Sequence, residues 1–220
     1  ISTNIKFIKN IKKSLKKYKI KKYKIVLEPA KKNTAPAILS AALIKDIPEK
    51  QPLVFFSADH LIENINKFNS KIKSNKKFLN YNNIFIFGIK PTIPSDQFGY
   101  FITKRKNNFN SVSKFLEKPK KSKAKAIIKK GGYWNSGIFY LRKDSLVNNF
   151  RLHQKKTYQN TMLAVKKSKF KNNTYFLNKK AFTKNLSNSF DYAILEKTKK
   201  INAIKLDIPW SDLGSWKQIL

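Results

Sequence analysis

The feature that most limits the fold of this chain is an alternation. Three short apolar runs, "KIVLE" (24–28), "LVFFS" (53–57) and "NIFIFGI" (83–89), are rich in Ile, Val and Phe and read as strands. Between them, apolar residues recur every three or four positions, the spacing of a helix with one buried face. "TAPAILSAALI" (34–44) is the first such stretch, with Thr34 as its expected N-cap and Pro36 in its first turn, where a missing N–H costs little. Leu61, Ile65, Phe68, Ile72 and Leu79 mark the second. Strands joined through helices lie parallel, because a hairpin cannot make that crossover. The expectation is an α/β fold with a mostly parallel mixed sheet flanked by helices. Ile5, Ile8, Ile11 and Leu15 predict a further helix over residues 5–19, and residues 1 to 4 read as the end of a strand before it.

The second half changes character. "FGYFIT" (98–103), "SVSKFLE" (111–117) and "YWNSGIFYL" (133–141) are strand-like and joined by loops, with a short helix at about 122–130. Two helical segments follow Arg142, then a strand over 201–208 and a short helix from Gly214. The sheet should therefore carry antiparallel insertions. At 220 residues, without an internal repeat or a flexible linker, the chain reads as one domain.

Composition removes several functions. There are no cysteines, which excludes disulfides and thiolate metal sites and fits a reducing, cytoplasmic setting. No run of eighteen uncharged apolar residues is present to span a membrane, so no membrane partner is expected. Lys plus Arg number 48 against 12 Asp plus Glu, for a formal net charge of +36. Only Arg105, Arg142 and Arg151 carry the guanidinium fork that suits base edges and bidentate phosphate contacts. The lysine excess, interleaved with Asn, fills solvated positions, and no nucleic acid is assigned as a partner. The same field would favour a small anionic substrate.

Against that background the acids stand out. Asp59 follows the run 53–57, and the carboxyl ends of strands are where open α/β sheets hold ligands. It could bind Mg²⁺, which prefers oxygen ligands and often bridges one or two carboxylates to substrate phosphates. A competing assignment makes Asp59 the cap of a helix starting near His60 or Leu61. Asp212, in "PWSDLGSW" (209–216), follows the strand 201–208 in the same way and could face the same cation; the alternative is a helix cap by Ser211 or Asp212. "FLEKP" (115–119) sets Glu117 beside Lys118 and ends in proline. Strand neighbours point to opposite faces, so both reach one ligand only if the strand stops between them. Asn135, in "YWNSG", can donate and accept at one point, as a hydroxyl-bearing ligand requires. Gly99, between Phe98 and Tyr100, leaves space for a close approach. Glu28 and Asn33 flank a turn after the first strand and suit a base edge or a ribose. A serine-hydrolase reading fails for want of a Gly-x-Ser-x-Gly turn, and a glycosidase reading lacks a partner carboxylate for Glu117.

Taken together, seven segments resemble the sugar-nucleotide pyrophosphorylase (nucleotidyltransferase) family, in family order and over nearly the whole chain. They are "LEPAKKNTAPAI" (27–38), "SADHLI" (57–62), "GIKPTIP" with "FGYFI" (88–94, 98–102), "FLEKP" (115–119), "GGYWNSGIF" (131–139), "FDYAILEKT" (190–198) and "WSDLGSW" (210–216). The resemblance implies a Rossmann-like nucleotidyltransferase fold. It also implies attack of a sugar-1-phosphate oxygen on the α-phosphorus of a nucleoside triphosphate. GTP and mannose-1-phosphate are the implied substrates, with GDP-mannose and pyrophosphate as products. It assigns Mg²⁺ to Asp59 and Asp212, the sugar phosphate to Lys118, guanine recognition to Glu28, Asn33 and Thr34, and the hexose to Gly99, Glu117 and Asn135. UTP or dTTP chemistry and an inactive sugar-nucleotide-binding protein stand as alternatives, and a homo-oligomer is compatible with the sequence.

The departures are specific. The family's opening G-G-x-G-T-R-L-W-P loop is not in this sequence, and "KKSLKKYKIKK" (12–22) has no glycine with which to build a phosphate cradle. The expectation is an N-terminally truncated domain without its first strand, with weak activity or none. Lys31-Lys32 replaces Gly-Arg, and Ser95-Asp96-Gln97 replaces an acid, a small hydroxyl residue and a glycine beside the sugar loop.

Overall fold

The structure is a computed structural model that describes residues 1–106 and 109–213. In chain order its elements are β1 (Ser2–Asn4), α1 (Ile8–Lys17), β2 (Ile25–Glu28), α2 (Thr34–Leu43), β3 (Pro52–Phe55), β4 (His60–Ile62), α3 (Ile65–Asn75) and β5 (Ile84–Ile89). There follow β6 (Gly99–Lys106), β7 (Phe109–Leu116), α4 (Lys121–Lys129), β8 (Tyr133–Arg142), α5 (Lys143–His153) and α6 (Lys155–Lys166). The chain closes with β9 (Lys169–Lys171), β10 (Thr174–Phe176), α7 (Lys179–Phe182), a π-helical turn (Asp191–Leu195), β11 (Ile201–Leu206) and β12 (Trp210–Asp212).

These elements form two compact units, residues 1–48 with 147–194 and residues 49–146 with 195–220. The first holds a four-stranded sheet in the order β1-β2-β10-β9, in which β1 and β10 both run parallel to β2. The end of a strand expected at residues 1 to 4 is thus β1. Val26, Ile44, Ala164, Tyr175, Leu177, Ala181 and Phe182 pack as its core. At the edge of that core Tyr175 donates its hydroxyl to Asp46, which also binds the Lys24 ammonium. Burial, then the hydrogen bond to Asp46, pushes the Tyr175 phenol up to about 12.

The second unit is built on a six-stranded sheet, β3-β8-β5-β11-β7-β6, and a two-stranded ribbon, β4-β12. All six residues of β5 are buried, which is why its text is continuously apolar rather than alternating. Phe85, Phe87 and Ile89 join Phe68, Tyr100, Trp134, Tyr140, Ile204 and Leu206 on one side of the sheet.

The α/β architecture is the expected one, but the mostly parallel balance is not. Among the described residues the large sheet has one parallel pair, β5–β11, and its other pairings are antiparallel. The ten-residue β8 accounts for much of this, since it runs antiparallel to β3, β5 and β6 in turn. β3 is also half-buried, not buried, because it lies at the sheet edge with β8 as its neighbour.

Two helix starts differ from expectation. Asn33, not Thr34, caps α2: its φ is 66° and its Oδ1 accepts the Thr34 N–H at 2.7 Å. A positive φ is several-fold commoner for asparagine than for other non-glycine residues and is an outlier for a β-branched threonine. Asn64 caps α3, with Oδ1 accepting from Lys67 N–H at 2.9 Å, so Leu61 belongs to β4 instead of the helix. The helix read from Gly214 lies outside the described residues.

Phe87 is fully enclosed in the β5 core. Phe87→Ala is expected to cost about 3–5 kcal/mol of unfolding free energy, measured by urea denaturation.

Candidate active site

In the second unit, the expected sugar residues fall on one row that runs across β5, β8 and β6 to the end of β7. Asn135 of β8 lies opposite Gly88 of β5 and opposite Gly99 of β6. Tyr100 pairs with Leu116 of β7, so the register continued by one residue sets Gly99 opposite Glu117. Side-chain residues therefore alternate with glycines in the order Gly88, Asn135, Gly99, Glu117. The glycines are needed for space. A Cβ on Gly99 would overlap Glu117 Oε2 and would lie 3.4 Å from Asn135 Cβ. Asn135 is buried, and its Oδ1 accepts the Gly137 N–H at 3.3 Å.

The FLEKP puzzle resolves at this corner. β7 ends at Leu116, and Lys118 takes φ +45°, a left-handed backbone that costs a lysine about 1–2 kcal/mol. The alternation of a strand no longer applies past Leu116, and the exposed Lys118 is turned independently of Glu117. Glu196 meets the same corner: its Oε1 accepts the Glu117 N–H at 3.2 Å.

Asp59 and Asp212 come together through the β4-β12 ribbon. His60 lies directly opposite Asp212, and Leu213 N–H donates to the Asp59 carbonyl at 2.9 Å. No helix starts at His60, so the capping role for Asp59 is overturned; Ser211 and Asp212 lie in a strand, and the helix either would cap falls outside the described residues. The ribbon places two carboxylate residues 153 positions apart in sequence on adjoining chain segments.

His60 follows Asp59 in the chain and faces Asp212 across the ribbon. Its ring meets Trp210 edge-on at 5.4 Å, and its Nδ1, like Trp210 Nε1, is enclosed without a hydrogen-bond partner among the described residues. Burial pulls the imidazole below its ordinary range, while Asp59 and Asp212 oppose that shift. A Cβ on Gly137 would lie 3.6 Å from His60 Cε1, and Gly137 is the residue bonded to Asn135. The acid pair and the glycine-spaced row therefore adjoin through Gly137, whose φ of +72° also favours glycine.

The loop before Gly99 is tied back to the sheet. Tyr100 accepts the Ser95 N–H and donates to the Ser95 carbonyl, each at 2.9 Å, and Gln97 N–H bonds Ser95 Oγ at 3.1 Å. Ser95 and Gln97 thus hold the loop's own conformation.

Glu28, Asn33 and Thr34 lie in the first unit. Glu28 is 8% exposed, and its Oε1 accepts from Ser2 Oγ at 2.7 Å. Thr34 Oγ1 accepts the Phe190 N–H at 2.9 Å. Sequence reasoning named all three, and singled out Gly137 as a turn or close-approach glycine, but passed over Ser2 and Glu196. Both enter through tertiary contacts, which are invisible in the linear text.

As a ligand set, Asp59 and Asp212 offer hard carboxylate oxygens, which fit a Mg²⁺ ion completed by substrate phosphates and water. Among the described residues no group of three or more His, Cys, Asp or Glu side chains converges as a metal cage. A magnesium site here would depend on the substrate for its remaining ligands.

A sheet-based α/β chain that presents two acids beside a glycine-spaced row belongs to a class of ligand-binding folds. The particular family is shown by comparison. Residues 3–220 match the nucleotidyl transferase family, and the chain belongs to it. It is 34% identical over 206 residues to the mannose-1-phosphate guanylyltransferase of Escherichia coli, an alignment that covers 89% of this chain and 44% of that protein. It is 31% identical over 202 residues to the alginate biosynthesis protein AlgA of Pseudomonas aeruginosa, covering 89% and 42%. The chain thus spans less than half the length of these curated relatives. A crystal structure described as mannose-6-phosphate isomerase from Helicobacter pylori superposes with a TM-score of 0.85 at 26% identity, over 96% of this chain and 83% of that one.

Burial raises the Glu28 carboxyl above its ordinary range, and the Ser2 hydroxyl works against that by favouring the carboxylate. A raised folded value means this group's stabilisation is complete below the unfolded pKa and is lost as pH rises through the folded one. Ser2→Ala is expected to raise the Glu28 pKa further, read from the carboxyl carbon shift in an NMR titration.

Proposed function

We propose that this chain is the nucleotidyl transferase portion of an enzyme that joins GTP and mannose-1-phosphate into GDP-mannose and pyrophosphate. The observation that carries the reading is the adjacency of Asp59 and Asp212 to the Gly88–Asn135–Gly99–Glu117 row, joined through Gly137. The similarity to the E. coli guanylyltransferase supports the choice of sugar and base.

In this reading Glu117, its carboxylate lodged in the space Gly99 leaves, and Asn135 bind hexose hydroxyls, and Lys118 meets the sugar phosphate. A phosphate oxygen of the sugar attacks the α-phosphorus of GTP; the new P–O bond forms as the bond to the β-phosphate oxygen breaks, and pyrophosphate leaves with that electron pair. The attacking phosphate is already ionised, so no strong base is required, and the chain's work is to align the two reactants. A magnesium ion held by Asp59 and Asp212 would supply charge neutralisation at the transferring phosphate. Glu28, Asn33 and Thr34 read the base, and Ser95 to Gln97 tune the hexose.

Pyrophosphate release with GTP, UTP and dTTP, each paired with mannose-1-phosphate and glucose-1-phosphate, tests this reading. The assay is run on the 220-residue chain and on the chain extended by a glycine-rich phosphate loop. Preference for GTP with mannose-1-phosphate is expected. Preference for a pyrimidine triphosphate would overturn the base assignment, and binding of GDP-mannose without turnover in either form would favour an inactive binding protein. Gly99→Ala is expected to weaken mannose-1-phosphate binding roughly 10- to 100-fold by displacing the Glu117 carboxylate, with GTP affinity unchanged by calorimetry.

A further inference from the structure

We propose that Glu196 is a positioning residue for the sugar end of the site, a role that rests on the transferase reading above. The observation lies where β7 leaves the sheet. Asn202 and Ala203 of β11 oppose Ser111 and Asn110 of β7. Residue 196 lies in the turn between the π-helical Asp191–Leu195 and β11, on the approach to the strand that neighbours β7. β11 itself begins only at Ile201, and the Glu196 side chain takes the place of a ladder carbonyl by accepting the Glu117 N–H at 3.2 Å.

This contact is set at a corner that must be held. Leu116 ends β7, Lys118 has a left-handed backbone, and the buried Pro119 has no N–H to offer. The Glu117 amide is the point at which the corner is anchored from across the sheet, and its direction sets where the Glu117 carboxylate goes. That carboxylate fills the space Gly99 leaves open, in line with Asn135. Glu196 thereby holds the Glu117 end of the row through the backbone amide.

Charge makes the arrangement informative. The chain has 45 lysines among its 48 basic residues and 12 acids, yet the residue facing the acid Glu117 is another acid. Pairing of opposite charges does not account for that choice. A donor-only ammonium could not accept the amide hydrogen, whereas a carboxylate can.

The test compares Glu196→Ala and Glu196→Gln with the parent chain. In the alanine variant, mannose-1-phosphate affinity by calorimetry is expected to fall roughly tenfold or more, GTP affinity to stay within about twofold, and amide hydrogen exchange at Glu117 to accelerate. The glutamine variant keeps an acceptor oxygen and is expected to restore both the sugar affinity and the slow exchange. Unchanged exchange at Glu117, or equal weakening of both substrates, would overturn the proposal. Accelerated exchange in a protein whose parent chain binds no sugar phosphate would leave the hydrogen bond standing but overturn the transferase reading, and with it the positioning role.

Discussion

The candidate site depends on cross-strand register. Gly88, Asn135 and Gly99 come from three strands and Glu117 from the position just past a fourth, and they share a row only because β5, β8, β6 and β7 pair with one set of offsets. Side chains alternate faces with a period of two, so a slip of one residue would exchange this row for its neighbour, Ile89, Trp134, Tyr100 and Leu116. That second row lines the apolar core. The burial of Trp134 and Tyr100 on one face therefore fixes which side chains are presented on the other. Core packing and site geometry are two consequences of the same offset.

The acids are organised by a second, smaller device. The β4-β12 ribbon sets His60 opposite Asp212 and Ile62 opposite Trp210, on one face of a two-stranded pair. Trp210 and Ile62 pack against the core of the second unit, which anchors the ribbon, while Asp59 at its end is exposed. The enclosed Nδ1 of His60 and Nε1 of Trp210 mark this as a place where polar atoms are held away from water without partners among the described residues. The chain's net charge of +36 would draw a phosphate-bearing ligand toward the protein. Among the described residues, no helix is long and apolar enough to cross a membrane.

Much of the fold was legible as text because its signals are local. The run "IFIFGI" announced a strand buried on both faces, and β5 is that strand. The spacing of Ile65, Phe68 and Ile72 announced α3. The misreadings were also physical. Leu61 lies in phase with the α3 stripe, but Asn64 intervenes as a cap and sends the preceding residues into a ribbon. Thr34 has a capping side chain, yet the cap position requires a positive φ that suits Asn33 better. The parallel share of the large sheet was overestimated because β8 bears no mark in its text that it pairs with three other strands.

The identities of the chemically capable residues were set by the sequence alone: which positions carry carboxylates, where glycine removes a side chain, and which runs are apolar enough to be buried. These follow from side-chain chemistry and short-range periodicity. The tertiary structure decided which of them meet. Glu196 faces Glu117, Asp212 faces His60, and Ser2 bonds Glu28, across sequence separations of 79, 152 and 26 residues. Such pairings arise from the offsets at which strands dock, and those offsets are selected by the burial of whole faces at once, a collective term that no short stretch of sequence contains.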